Sequence, residues 1–75
     1  MNLEKQLHES IEKENYAECK KLLQFKPNIV NNDYNKKYPL YLSCEKDNYS
    51  IVKLLIEVFK LNFILILLKN NNIYF

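Results

Sequence analysis

The chain has 75 residues and a net charge of +2, so it can form one small domain, whose core supplies only about 3–5 kcal/mol of stability. All 11 basic residues are Lys, and they are interspersed with 9 acidic residues. Because there is no basic block and no alternation of aromatic and basic residues, the composition argues against nucleic-acid binding. Glycine is absent, so positive-φ positions at helix ends and in turns must be filled by Asn, Asp or Lys, and Asn28 and Asn48 are candidates.

The N-terminus and the cysteines indicate a reducing compartment. Residues 1–6 are polar and show no secretory signal. Cys19 and Cys44 are two isolated cysteines without the spacing of a disulfide framework or a metal site. We therefore expect a cytoplasmic chain with reduced thiols.

The first two predicted helices form a hairpin. Leu3, Leu7 and Ile11 recur every four residues and predict an amphipathic helix over residues 3–14. A second helix is expected over residues 17–25. The segment 26–38 contains Pro and several Asn or Asp residues, so we expect it to form an extended loop that ends the second helix.

The cycle of two helices then begins again. Pro39 stands at the first turn of a third helix that runs to about Cys44, and residues 47–50 form the next turn. Ser50 is the predicted N-cap of a fourth helix over residues 51–59. One polar stripe of the fourth helix should face water: Lys53, Glu57 and Lys60.

A 33-residue period relates the two predicted helix pairs. Residues 7–8 (Leu-His) return as residues 40–41 (Leu-Tyr), and the core of the second helix, 19–23, returns as 52–56. A period of this length is typical of stacked helical repeats, which present surfaces to partners.

The second helix pair resembles an ankyrin repeat. Residues 38–44 and 50–57 match the spacing of the family pattern Thr-Pro-Leu-His-x-Ala-Ala, a glycine-containing turn and Val-Val-Lys-Leu-Leu-Leu. The chain departs from this pattern at Tyr38 and Tyr41, and at four glycine positions, Glu14, Lys26, Asp47 and Phe59.

The resemblance implies an all-α fold, an ankyrin-like stack of two helix-turn-helix repeats with an apolar C-terminal helix or tail. The implied fold is divided into repeat 1 (residues 1–32), an incomplete repeat 2 (33–60) and the tail (61–75), which is a cap or the start of a third repeat. It also implies that Cys19 and Cys44, at positions usually occupied by Val and Ala, are small buried thiols.

Proteins of this family bind partners through their loop tips and the exposed side of the first helix in each pair. Carried over position by position, the implied partner-binding surface is Asn32, Tyr34, Asn35 and Lys37 in the loop, with Glu12, Lys13, Glu45 and Lys46 on the first helices. Tyr34 is the expected anchor, because aromatic side chains are frequent interface hot spots. The alternative, that these are only solvated residues, stays open.

The sequence lacks the residue sets of an enzyme or a cofactor site. His8 is the single His of the chain, and the resemblance implies a structural role for it. Glu12 and Glu14 are two residues apart on a helix, so their carboxylates point away from each other. We therefore expect no catalysis, no metal and no cofactor.

The apolar run 61–68 allows three interpretations. It is too short to span a bilayer, which takes about 20 apolar residues. It either lengthens the fourth helix and folds over the open end of the stack as a cap, or forms a membrane-surface or self-association patch through Phe63–Leu68, or is an unselected end.

The sequence therefore favours a non-catalytic protein–protein interaction module of ankyrin-repeat type, whose partner is another protein. Two alternatives remain. One is a small protein that associates with a membrane surface through residues 51–68, and the other is a non-autonomous fragment of a longer repeat protein.

Overall fold

The computed structural model describes residues 2–70, which form four α-helices and one short 3-10 helix. The α-helices are α1 (Leu3–Glu12), α2 (Tyr16–Phe25), α3 (Pro39–Glu45) and α4 (Tyr49–Asn70), and the 3-10 helix is Pro27–Asn31. Between residues 2 and 70 there is no β-strand, only an isolated bridge between Tyr34 and Lys37. The predicted all-α class is therefore confirmed.

Asparagine side chains cap the helices. Asn2, Asn15 and Asn48 each accept a hydrogen bond from the backbone N–H three residues later, at 3.0–3.1 Å. Such a bond satisfies one of the N–H groups that have no partner in the first helical turn. The N-cap of α4 is thus Asn48 rather than the predicted Ser50, and α4 begins at Tyr49, two residues earlier than predicted.

The turn after α1 needs a left-handed backbone conformation. Glu14 has a φ of 55° and Asp47, after α3, has a φ of 54°, whereas Asn28 lies in the 3-10 helix and Asn48 is the cap of α4. The prediction of Asn28 and Asn48 was therefore wrong, although Asp47 is of a predicted residue type. Because the chain already turns at residues 13 and 14, α1 ends at Glu12 and not at the predicted residue 14.

Part of the predicted extended loop is helical. Pro27 stands at the start of the 3-10 helix, where its fixed φ suits a helical turn. Ile29 and Val30 follow it and are 0% and 5% exposed. The many turn-forming residues around them predicted a loop, but burying two apolar side chains favours a compact turn against the core.

The core lies between the two helix pairs. Helix α1 contacts α2 and α3, and α4 contacts α3, α2 and the 3-10 helix. The buried apolar residues form one cluster: Leu7, Ile11, Cys19, Leu22, Leu23, Ile29, Val30, Leu42, Ile51 and Leu55. The predicted polar stripe of α4 faces water, since Lys53, Glu57 and Lys60 are exposed.

Helix α4 continues without interruption to Asn70 and contains the described part of the predicted tail. Its buried contact in this part is made by Asn62, whose Nδ2 donates to the carbonyl oxygen of Pro27 at 3.0 Å. Six apolar side chains of this part are 48–61% exposed: Leu61, Phe63, Ile64, Leu65, Ile66 and Leu68. The predicted lengthening of the fourth helix is therefore present, but up to Asn70 the run continues the helix and leaves these side chains half-exposed, without folding back as a cap. Residues 71–75 of the predicted tail lie outside the described residues.

Candidate protein-binding surface

The loop before α3 closes in a two-residue hairpin turn. The N–H of Tyr34 donates to the carbonyl of Lys37 at 3.0 Å, and the N–H of Lys37 donates to the carbonyl of Tyr34 at 3.1 Å. Asn35 and Lys36, between them, have φ values of 55° and 64°. Two successive positive φ values are the signature of a type I′ turn. The turn places Asn35 at its exposed tip and fixes where Tyr34 and Lys37 lie.

One side of α1 contacts this loop. Oε2 of Glu4 accepts a hydrogen bond from Nδ2 of Asn32 at 2.8 Å, which lowers the pKa of the Glu4 carboxyl. One helical turn later, the ring of His8 contacts the ring of Tyr34 edge to face, with 5.2 Å between the ring centroids. Tyr34 is therefore half-buried against α1. Its predicted role as the anchor requires an exposed position at the loop tip.

Two solvent-accessible ion pairs continue the same surface. Nζ of Lys37 lies 2.8 Å from Oε1 of Glu45, and Nζ of Lys46 lies 3.5 Å from Oε1 of Glu12. The hydrogen bond from Lys37 lowers the pKa of the Glu45 carboxyl, and the neighbouring Tyr41 lowers it further. The same hydrogen bond raises the pKa of Lys37, with a smaller contribution from the charge of Glu12. Helices α1 and α3 thus present their charges side by side.

These side chains form two rows, which we call the two-row face. The first row is Glu4, His8 and Glu12 on α1, and the second row is Lys37, Tyr41 and Glu45 on α3 and the residues before it. Within each row the spacing is four residues, which keeps successive side chains on one side of a helix. The 33-residue period relates the two rows, so each member of the second row is the counterpart of one in the first.

Six predicted partner-binding residues belong to this surface through direct contacts, and a seventh, Asn35, lies at the turn tip. The six are Asn32, Tyr34, Lys37, Glu12, Glu45 and Lys46. Lys13, in contrast, lines a separate shallow polar groove with Glu9 and Glu18.

Glu4, His8 and Tyr41 were not among the predicted surface residues. The spacing would have identified all three. Steps of four residues lead from Glu12 to His8 and Glu4, and the 33-residue period then leads from His8 to Tyr41. His8 was expected to have a structural role only, and its contact with Tyr34 also positions a surface residue.

The two cysteines differ in exposure. Cys19 is buried, and its burial together with the charge of Glu18 raises the pKa of its thiol to about 11. Cys44 is exposed, so the expectation of a second buried thiol was wrong. The reason is that Cys44 lies on the outer side of α3, and within residues 2–70 nothing packs over it.

Two apolar grooves flank α4. The first, of about 450 Å³, separates α4 from α3 and the loop and is lined by Val30, Asn31, Tyr38, Leu40, Phe59, Phe63 and Ile66. The second, of about 360 Å³, separates α4 from α2 and is lined mainly by Leu23, Pro27, Leu54, Val58, Leu61 and Leu65. Within residues 2–70, no helix combines the length and apolarity needed to cross a membrane.

Neither a metal cluster nor a similarity assigns a function. In the part of the chain that the structure describes, no group of three or more His, Cys, Asp or Glu side chains is placed to hold a metal ion. Comparisons with protein-family models, curated proteins and solved structures find no match to this chain. The two-row face and the grooves beside α4 are therefore the features on which a function can be based.

Proposed function

We propose that this chain is a non-catalytic, cytoplasmic protein-binding module of ankyrin type, which holds a segment of another protein on the two-row face. The observation that carries the proposal is the presence of two matched rows of solvent-accessible polar and aromatic side chains on α1 and α3, next to a fixed hairpin turn. Repeats of this kind present equivalent positions side by side as a continuous binding surface.

The repeat assignment is supported by turns of the same geometry in both halves of the molecule. Glu14 and Asp47, which are one period apart, both have positive φ. Asn15 and Asn48, the residues that follow them, both cap the next helix. Buried serines also stand at corresponding positions before the turns, although their acceptors differ, since Ser10 donates to the carbonyl of Gln6 and Ser43 to that of Leu40. Equal geometry at equal spacing is what a structural repeat produces.

The chemistry of the two-row face favours a peptide segment of mixed character. Its carboxylates and ammonium groups form solvent-accessible pairs, and such pairs contribute little to folding, so they can exchange partners with a bound chain. Tyr41 is 58% exposed beside Glu45 and offers an aromatic anchor. Because carboxylates outnumber ammonium groups on the face, it has no positive field for nucleic acid.

The proposal is tested with a random-peptide display library selected on the immobilised full chain. Tyr41→Ala should lower the affinity of the chain for the enriched peptides about tenfold or more, as truncation of an interface hot spot does. Lys37→Glu should lower this affinity as well, because it reverses a charge in the second row. Tyr49→Ala is the matched control, since Tyr49 is 87% exposed at the start of α4, away from both rows.

Two results would contradict the proposal. One is equal loss of binding for Tyr41→Ala and Tyr49→Ala, which would indicate non-specific aromatic contacts. The other is retention of binding in Tyr41→Ala and Lys37→Glu together with loss in Ile66→Glu, which would place the peptide on α4 instead.

A further inference from the structure

The two ends of the molecule differ in polarity. The difference can be seen by comparing the exposure of residues that are one 33-residue period apart. Three pairs of counterparts carry the comparison: Leu7 and Leu40, Leu23 and Ile56, Val30 and Phe63. The first member of each pair is 0%, 2% or 5% exposed, because the second helix pair covers it, whereas the second member is 37%, 39% or 55% exposed. Up to residue 70, the C-terminal end therefore presents the positions that form the interface between the two halves, with no covering layer.

The opposite end of the molecule is polar. Leu42 and Ile51 are buried in the shared core at 2% and 0% exposure. Their counterparts one period earlier in the chain are Glu9 and Glu18, and Glu9 is exposed. A charged outer face is what a terminal repeat needs to stay soluble. Stacking one copy head to tail on another would bury these carboxylates against apolar residues, which is costly without a partner charge.

Helix α4 supplies a continuous apolar stripe to the C-terminal end. The stripe consists of Val52, Ile56, Phe59, Phe63 and Ile66, at alternating spacings of four and three residues. This alternation is the heptad pattern by which one helix packs its side chains between those of another. The last three residues of the stripe also line the groove of about 450 Å³ beside Tyr38 and Leu40. A groove bordered by protruding rings fits the side chains of a second helix better than the surface of a lipid layer.

The exposed apolar area is sufficient for a symmetric pair. We define the C-terminal end face as Tyr38, Leu40, Ile56, Phe59, Phe63 and Ile66, which are 37–57% exposed. With about 200 Å² for each large side chain, roughly 600 Å² per copy is available, or about 1,200 Å² for two copies. A specific interface needs about 1,000 Å² in total.

We propose that a second copy of this chain covers the C-terminal end face, so that two molecules form a closed two-fold dimer through their α4 helices. Only contact between like ends buries apolar residues of both partners, and such a contact closes after two copies. The two-row face lies on α1 and α3 and is not used, so this dimer does not depend on the proposed function.

The experiment compares two substitutions of the same residue type on the same helix. Ile66 is in the stripe and 48% exposed, and Ile64 is outside the stripe and 50% exposed. Light scattering and sedimentation equilibrium of the full chain, from about 1 μM to about 1 mM, should give twice the monomer mass of 9.1 kDa at high concentration. Ile66→Glu should raise the dissociation constant about tenfold or more, and Ile64→Glu should leave it within about twofold.

Helical content from circular dichroism confirms that both variants fold, and Phe63→Glu provides a second substitution in the stripe. A monomer over the whole concentration range would overturn the proposal, as would equal effects of Ile64→Glu and Ile66→Glu. Masses that grow without limit would indicate head-to-tail stacking and would also overturn it. Sedimentation of a monomeric chain with phosphatidylserine–phosphatidylcholine vesicles, lost equally in both Ile variants, would assign the surface to a membrane instead.

Discussion

Glu14 and Asp47 occupy the left-handed backbone region, which is unfavourable for residues with a Cβ atom by roughly 1 kcal/mol. In a chain without glycine, the turn between the helices of each pair must accept this cost. The same two positions are those at which the resembled family usually has glycine. The backbone geometry of the turn is thus kept while the residue that suits it best is missing.

Asp47→Gly should therefore stabilise the protein. Relief of the strained conformation outweighs the greater freedom of glycine in the unfolded chain, and we expect a gain of about 0.5–1 kcal/mol. For a domain of this size, the melting temperature should rise by about 2–8 °C. The control is Asp33→Gly, the same change at an exposed loop residue without positive φ. A lower melting temperature for Asp47→Gly than for Asp33→Gly would show that the Asp47 side chain itself stabilises the turn.

At the scale of single elements, the start of α4 shows how capping determines a helix boundary. Asn48 and Ser50 are both residue types that cap helices. The side chain of Asn48 accepts the N–H of Ile51 at 3.1 Å and also donates to Oε1 of Glu14 at 3.3 Å. Ser50 lies inside the first turn of α4. Asn48 thus both begins α4 and links it to the turn after α1.

Substitution of the two residues should separate these roles. Asn48→Ala should lower the free energy of unfolding by about 0.5–2 kcal/mol, because an N–H of the first turn loses its partner. Ser50→Ala should change it by less than about 0.5 kcal/mol, as is usual at exposed positions. Thermal or chemical denaturation of both variants checks this order. The opposite order would mean that α4 starts at Ile51 in solution, with Ser50 as its cap.

At the scale of the whole molecule, one buried polar contact joins the second half of α4 to the 3-10 helix. Asn62 is 5% exposed, and its Nδ2 donates to the carbonyl of Pro27 at 3.0 Å, between α4 and the start of the 3-10 helix. The surrounding apolar side chains of α4 are half-exposed, and this bond is the polar tie between the extended helix and the start of the 3-10 helix. Its loss should loosen both segments together.

Asn62→Ala should destabilise the full chain by about 1–3 kcal/mol, because the Pro27 carbonyl loses its donor in a partly buried site. Amide hydrogen exchange should also become faster in the second half of α4. Asn28→Ala is the control, since Asn28 is exposed directly after Pro27. If both variants melt at the same temperature, the extended part of α4 does not contribute to the stability of the fold.

The predictions from sequence succeeded where local rules decide. The 3.6-residue period of apolar side chains correctly indicated four helices in order and the water-facing stripe of Lys53, Glu57 and Lys60. The prediction of a loop failed for Pro27–Asn31, which is a 3-10 helix. Turn-forming residues outnumber its two buried apolar residues, Ile29 and Val30. Of the two-row face, Glu12, Lys37 and Glu45 had been predicted. Glu4, His8 and Tyr41 had not, although their spacing was visible.

By itself, then, the sequence determined the all-α class, the helix order and the 33-residue correspondence, because periodicity and spacing are properties of the chain alone. Tertiary structure decided which side chains are covered. Tyr34 is half-buried because His8 lies against it, and Cys44 and Phe63 are exposed because, up to residue 70, no layer follows the second helix pair. Burial depends on what packs on a residue, and for residues far apart in the chain that partner is set only when the helices assemble.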